Sequence, residues 1–130
     1  MRYVSVIVAM LALSATAAAS MELVMFRQAG CPWCAAWDRE VGPIYPKTEF
    51  GRRVPVRFVD LGRARDTARL KSPVRFTPTF VVFDGGREIG RIEGYPGQDF
   101  FWGLLENLVP KPAATDGVTQ AVPRRQEVER

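Results

Sequence analysis

The chain has 130 residues, with 18 Lys and Arg against 14 Asp and Glu, and a formal net charge of +4. No basic run is interleaved with aromatic residues, so we expect no nucleic-acid partner, and the absence of histidine excludes haem attachment and any Cys–His or Ser–His catalytic pair. The two cysteines alone would supply only half of a structural zinc site, so neither a metal nor another cofactor is expected.

The first segment, residues 1–19, has the three regions of a secretory signal peptide. Arg2 is positively charged, Val4 to Leu13 are apolar, and Ala17-Ala18-Ala19 fits a small-x-small cleavage site. The alternative is a retained membrane anchor, but the apolar run is shorter than the about 20 residues that a spanning helix needs. We therefore predict export and cleavage, followed by a single domain over residues 20–109.

A first strand is predicted at 22–26, followed by a loop over 27–30. Arg27 and Gln28 in this loop are interpreted as solvated residues, and the alternative is that they flank the site and tune Cys31. The sequence Cys31-Pro32-Trp33-Cys34 comes next and opens a helix predicted to reach residue 41, with Trp37 facing the core. Gly42-Pro43 is expected to end this helix.

The Cys-x-x-Cys sequence predicts reversible thiol–disulfide exchange. Residues three apart on a helix share a face, so Cys31 and Cys34 can close a small disulfide with little backbone movement. Cys31 is predicted near the N-cap, with Pro32 at the first helical position. The N–H groups of Trp33 and Cys34 then point toward the Cys31 sulfur, and the helix dipole favours a negative charge there. Cys31 is therefore expected to be the attacking thiol and Cys34 the resolving one.

The middle and end of the chain predict further alternation of strands and helices. A strand is expected at 54–59 with Pro55 at its start, followed by a short polar helix at 65–70. Segments 80–83 and 87–92 predict an antiparallel hairpin with a bulge near Gly90.

The final helix is predicted from its apolar periodicity. Asp99 is expected to cap it and Pro110 to end it. Its core-facing stripe is expected to contain Phe101, Leu104, Leu105 and Leu108. The preceding Tyr95-Pro96-Gly97 is interpreted as a turn, and the alternative is that it borders the substrate groove. Residues 110–130 are predicted to be a disordered tail.

This order of elements, with Cys-x-x-Cys at a helix start and Thr77-Pro78 before the hairpin, resembles the thioredoxin superfamily over about residues 21–109. The resemblance implies an α/β three-layer sandwich with a mixed four-stranded sheet flanked by helices. It also implies that Pro78 is cis and packs against the disulfide, while the backbone of Thr77 pairs with an incoming peptide. Gly94 would match the glycine that follows the second hairpin strand.

Within the superfamily, the chain resembles the periplasmic thioredoxin-like proteins that accompany bacterial sulfur-oxidation systems. The resemblance is carried by the predicted export, by Gly30 before the first cysteine, and by Glu40-Val41-Gly42-Pro43 after the second. This resemblance implies a periplasmic reductase that keeps the cysteine of a sulfur-carrier protein competent, with a membrane thiol reductant as its electron donor. We expect a monomer. Met25 departs from ordinary thioredoxins, which bury an aspartate there, and Val56 stands in place of its lysine partner.

Two other functions remain open from the sequence. An oxidant that donates disulfides to exported proteins would use the same cysteines in the opposite direction. A non-catalytic binding module would keep the disulfide permanently closed and use only the peptide groove of the fold. Trp33 is expected to be exposed between the cysteines, where it either contacts the substrate or only covers the motif.

Overall fold

The protein is described by a computed structural model that covers residues 20–63 and 69–112. Its sheet contains four strands in the order β2-β1-β3-β4. They are β1 (Met21–Arg27), β2 (Val56–Asp60), β3 (Thr79–Asp84) and β4 (Arg87–Glu93). Strand β1 pairs in parallel with β2 and antiparallel with β3, and β3 and β4 form the antiparallel hairpin. The mixed four-stranded sheet expected from the sequence is therefore confirmed.

Three α-helices accompany the sheet: α1 (Pro32–Glu40), α2 (Glu49–Arg53) and α3 (Gln98–Leu108). Helix α2, which has five residues, was not expected from the sequence. Its N-cap residue Thr48 accepts a hydrogen bond from the Gly51 N–H at 3.0 Å. Single-turn 3₁₀ helices occupy Tyr45–Lys47 and Leu61–Arg63. No helix in the two described ranges is long and apolar enough to cross a membrane.

The cap predicted for α3 is wrong. The N-cap residue is Gly97, at φ 100°, and it provides no side-chain hydrogen bond to the helix. Asp99 instead lies in the first turn, where its negative charge interacts favourably with the positive end of the helix dipole. The predicted end is close to the observed one, because α3 ends at Leu108, two residues before Pro110.

The principal core lies between one face of the sheet and helices α1 and α3. Leu23 and Met25 from β1 meet Trp37 of α1 and Phe101 and Leu105 of α3, and all five are buried. The Trp37 ring contacts four other aromatic rings, those of Tyr45, Phe58, Phe80 and Phe101. Helix α1 is therefore held on the sheet directly behind the cysteine pair.

The opposite face of the sheet has a smaller core made by Val24, Phe26, Val81 and Phe83. Leu61, Leu70 and Val74, which belong to the connection between β2 and β3, pack on it. Most of the helix predicted at 65–70 lies outside the described residues, as do the predicted leader and nearly all of the predicted tail. Strands β1 and β3 are buried on both faces, which explains their continuous apolar sequences.

The β3–β4 hairpin contains the expected irregularity. Val82 is opposite Gly90 and Phe83 is opposite Glu88, so Ile89 is an extra residue on β4. This is a β-bulge beside Gly90, as predicted. A Cβ atom at Gly90 would lie 2.5 Å from the Cδ2 atom of Leu108, so the missing side chain lets α3 approach the strand.

Candidate active site

The cysteine pair lies at the N-terminus of α1 and is joined by a disulfide bond, with the two Cα atoms 5.3 Å apart. Cys31 is the N-cap residue and Pro32 occupies the first turn, as the sequence predicts. Of the two amides expected to face the Cys31 sulfur, that of Cys34 donates a hydrogen bond to Sγ at 3.1 Å. The same N–H would stabilise a thiolate at Cys31 once the disulfide is reduced.

The two sulfurs differ in accessibility. Cys34 is 1% exposed and belongs to the principal core, whereas Cys31 is only partly buried. Trp33, between them, is 61% exposed, which confirms the predicted exposure of this side chain. A second molecule can therefore approach Cys31 past Trp33, while Cys34 is accessible mainly to its partner sulfur.

The Thr77–Pro78 peptide bond is cis. Thr79, the next residue, is opposite Phe26 in the β1–β3 register, and Phe26 leads into the loop that ends at Cys31. The cis-proline and the cysteine pair therefore lie at the same end of the sheet. The carbonyl of Pro78 accepts a hydrogen bond from the Gly94 N–H at 2.7 Å, which ties this loop to the end of β4.

Phe76 is an exposed aromatic residue beside the cis-proline that the sequence analysis did not single out. The Thr79 hydroxyl donates a hydrogen bond to the Phe76 carbonyl at 2.7 Å and fixes the backbone there. The ring is left on the surface, 59% exposed. Trp33 and Phe76 are therefore two exposed aromatic side chains at this end of the sheet.

Arg27 is not the solvated loop residue that the sequence suggested. It is the last residue of β1, and its guanidinium donates two hydrogen bonds to the Asp38 carboxylate of α1, at 2.9 and 2.5 Å. The guanidinium also lies over the Phe58 ring, 5.3 Å from its centroid. Asp38 holds the pKa of Arg27 above its ordinary value, so this residue is permanently charged. Only tertiary structure brings these three residues together.

An open cavity of about 610 Å³ lies beside Cys31 on the β2 side. It is lined by Arg27, Gln28, Ala29, Gly30, Cys31, Pro32, Ala35, Phe58 and Asp60. The cis-proline precedes β3, on the other side of β1, so Cys31 lies between this cavity and the cis-proline loop. No group of three potential metal-ligating side chains occurs in the part of the chain that the structure describes.

Met25 occupies a fully buried position in the principal core, which also contains Cys34. Its neighbour on β2 is Phe58, whereas Val56 is opposite Leu23. None of these four β-strand side chains can accept or release a proton. Proton transfer to or from Cys34 therefore cannot use the strand positions where the resemblance places an aspartate and a lysine.

Tyr95, interpreted first as a turn residue, has its ring buried against Phe101. Its hydroxyl donates a hydrogen bond to Glu40 at the end of α1, at 2.6 Å. Burial, together with the hydrogen bond to Glu40, raises the pKa of Tyr95. This hydrogen bond joins the segment after β4 to α1. Because the adjacent Gly94 is bonded to Pro78, the cis-proline loop and α1 are linked through two neighbouring residues.

Comparison with known proteins agrees with this geometry. A family model described as a thioredoxin-like domain matches residues 12–108. The reduced periplasmic thioredoxin SoxS from Paracoccus pantotrophus is 48% identical, with a TM-score of 0.64, over 68% of this chain and 95% of that one. The comparison with curated proteins found no match.

More distant thioredoxins share the fold alone. That of Fasciola hepatica is 21% identical, with a TM-score of 0.56, over 70% of this chain and 83% of its own. That of Malassezia sympodialis is 22% identical, with a TM-score of 0.54, over 69% and 76%. From the family match and the identity to the Paracoccus protein, the chain belongs to the thioredoxin-like family and, with its Cys31–Cys34 pair, is a thiol–disulfide oxidoreductase.

Proposed function

We propose that this oxidoreductase is a periplasmic reductase of protein disulfides, and that its client is a sulfur-carrier protein whose cysteine it keeps reduced. The observation that carries the proposal is the unequal exposure of two cysteines at one helix N-terminus, Cys31 partly exposed and Cys34 buried. The 48% identity to a periplasmic thioredoxin supports the compartment. That protein's SoxS designation supports the sulfur-oxidation setting.

The first step uses the reduced protein. The Cys31 thiolate attacks one sulfur of the client disulfide, a bond forms between Cys31 and that sulfur, and the second client sulfur leaves as a thiolate. The Cys34 N–H that bonds to Cys31 Sγ and the positive end of the α1 dipole both stabilise the attacking anion. A client with a modified cysteine reacts in the same way, and the modifying group or the client sulfur is the leaving group.

The second step releases the client. Cys34 loses its proton to water or to the departing client thiolate and attacks the Cys31 sulfur of the mixed disulfide. The Cys31–Cys34 bond forms, the client sulfur leaves reduced, and two electrons have passed to the client. A membrane thiol reductant then supplies the two electrons that reopen the Cys31–Cys34 bond.

The client segment is proposed to bind across the cis-proline loop. Thr77 would pair with the peptide through its backbone, Pro78 would pack beside the reacting sulfurs, and Trp33 would contact the segment with its exposed ring. Phe76 adds a second exposed aromatic surface next to this loop. Exposed aromatic side chains that become buried on binding contribute strongly to affinity, which favours substrate contact as the role of Trp33.

Export is part of the proposal. Strand β1 begins at Met21, one residue after Ser20, so cleavage after Ala19 would remove residues 1–19 without shortening the sheet. The tail after the domain is assigned no role. The domain over 20–109 is proposed to act as a monomer.

Trapping of a mixed disulfide tests the proposed function. In Cys34→Ala the first step is intact and the second cannot occur, so the reduced variant is expected to hold its client through Cys31. The matched control is Cys31→Ala, which retains one cysteine of the same pair and is expected to capture nothing. Proteins bound covalently in a periplasmic extract would be released by reductant and identified by mass spectrometry.

The direction of transfer is tested by the reduction potential of the wild-type pair in equilibrium with glutathione. A reductase is expected to have a potential closer to that of thioredoxin, about −270 mV, than to that of DsbA, about −120 mV. A value near the DsbA end would contradict the reductase and favour the disulfide-donating oxidant. Absence of both insulin reduction and trapped client would favour the non-catalytic module.

A further inference from the structure

The Arg27–Asp38 ion pair joins the two elements that flank Cys31, the end of β1 and helix α1. Arg27 ends β1, Asp38 lies in the second turn of α1, and the loop between them includes the attacking cysteine. The pair is joined by two hydrogen bonds, and both side chains are only partly exposed, at 31% and 39% of their surfaces. The Phe58 ring beneath the guanidinium restricts its movement further.

The two members of the pair lie at different positions relative to the Cys31 sulfur. Arg27 and Cys31 line the same cavity. Asp38 is seven residues further along α1, which corresponds to about 10 Å along the helix axis. Arg27 is the member of the pair that lines the Cys31 cavity, and its charge is partly neutralised by Asp38. The net field at Cys31 therefore depends on both members being charged.

We propose that Arg27 and Asp38 are positioning residues that act as a balanced charge pair and set the stability of the Cys31 thiolate. Arg27 favours the anion and Asp38 limits that effect. This inference rests on the thiol–disulfide chemistry of Cys31 but not on the identity of the client. It concerns the reduced protein alone, so it can be tested without any substrate.

Other charges surround the same sulfur and are left unchanged in the test. Asp60, at the end of β2, lines the cavity, and its carboxylate accepts a hydrogen bond from the Gly62 N–H at 2.9 Å. The neighbouring elements carry further charged residues: Glu22 on β1, Arg57 on β2, Arg39 and Glu40 on α1, and Arg75 before the cis-proline. Arg27→Gln and Asp38→Asn each change one charge of the pair and leave these groups in place, so their contributions cancel in the comparison.

The experiment measures the Cys31 thiol pKa in the reduced protein, from thiolate absorbance and from the pH dependence of alkylation. Arg27→Gln leaves the Asp38 charge uncompensated, and the pKa is expected to rise by roughly half a unit. Asp38→Asn leaves the Arg27 charge uncompensated, and the pKa is expected to fall by roughly the same amount. The glutathione potential should fall in the first variant and rise in the second, because a more stable thiolate stabilises the reduced form.

The opposite signs separate this proposal from a purely structural role. A clamp that only holds the loop would be broken equally by both substitutions and would shift the pKa in one direction. Arg27→Lys retains the charge and is expected to keep the pKa near the wild-type value. Arg57→Gln is the matched control, since it breaks another two-bond pair, with Glu22, near the opposite end of β1 and is expected to cause no shift.

Opposite shifts in the two variants, with Arg27→Lys and Arg57→Gln near the wild type, would support the proposal. Shifts of the same sign, or no shift in either variant, would overturn it. If Arg27→Gln does not fold, Asp38→Asn decides alone, and an unchanged or raised pKa overturns the proposal. A failed client trap would contradict the proposed function and leave this measurement unaffected.

Discussion

At the scale of single residues, Glu88 is a buried carboxylate that accepts hydrogen bonds from a small cluster of described residues. Its side chain is 3% exposed and accepts hydrogen bonds from Arg91, at 2.6 and 3.0 Å, and from the Lys71 N–H at 2.7 Å. Arg91 also donates to the Ser72 carbonyl at 2.9 Å. Strand β4 thereby anchors the segment that leads to the cis-proline.

Replacing Glu88 should destabilise the protein. Glu88→Gln removes the carboxylate charge to which Arg91, 14% exposed, donates its hydrogen bonds, and we expect a loss of about 2 to 3 kcal/mol in the free energy of unfolding at pH 7. Glu93→Gln is the matched control, because Glu93 faces the same Arg91 at 3.8 Å but is half exposed, and should cost less than about 0.5 kcal/mol. Urea unfolding measures both, and equal losses would contradict the assignment.

The same residue gives the unfolding free energy a pH dependence with a definite sign. Burial raises the pKa of Glu88, but the hydrogen bonds from Arg91 and Lys71 outweigh it and the pKa is lowered overall. The stabilisation is therefore present above the unfolded value of about 4.3 and is lost as the pH falls through the lower folded value. The difference in the free energy of unfolding between the wild type and Glu88→Gln should accordingly become smaller below about pH 4.

Local sequence was sufficient for some site residues and insufficient for others. Cys31 and Cys34 were predictable because their spacing and the following helix carry the chemistry within four residues. Arg27 was misjudged because its partners, Asp38 and Phe58, are 11 and 31 positions away in the sequence. The local sequence of the loop does not predict an ion pair or a ring contact with residues so far away.

At the scale of elements, α3 shows how a helix can have more apolar residues than its core contact needs. Phe101 and Leu105 are fully buried, whereas Leu104, which belongs to the predicted stripe, is 42% exposed. The apolar periodicity predicted the helix correctly, but the buried face that it predicted is wider than the observed one. Helix α3 packs on the sheet through Leu108 at Gly90, whereas Leu104 faces solvent.

Two neighbouring leucines of α3 provide a direct test. Leu105→Ala should lower the free energy of unfolding by about 2 to 4 kcal/mol, because it opens a cavity in the principal core. Leu104→Ala removes the same atoms from the surface and should change it by less than about 1 kcal/mol. Chemical denaturation of the two variants measures the contrast. Similar losses would mean that both leucines face the core.

At the scale of the whole molecule, β1 organises the structure because it is a central strand that leads directly to the cysteine pair. It pairs with β2 on one side and β3 on the other, and it begins immediately after the predicted cleavage site. Ser20 makes a further contact, since its carbonyl accepts a hydrogen bond from the Gly85 N–H at 3.3 Å.

Truncation tests where the folded domain begins. A protein that starts at Ser20 should fold and reduce insulin, because every described contact of β1 is retained. A protein that starts at Leu23 loses the pairing of Met21 and Glu22 with β3 and the Glu22–Arg57 ion pair, and should be less stable by more than about 2 kcal/mol. Thermal and urea unfolding compare the two. An unfolded Ser20 form would contradict the proposed boundary.

The sequence by itself determined the chemistry, the strand order along the chain, helices α1 and α3, the hairpin with its bulge and the family, because each is encoded in residues close together along the chain. Only the tertiary structure decided which α3 leucines are buried, that Tyr95 bonds to Glu40, and that Arg27 is held between Asp38 and Phe58. Burial and ion pairing depend on distances between elements that are separated in sequence. Those distances arise when the sheet and helices pack, so the charge pair beside Cys31 could be identified only in the folded protein.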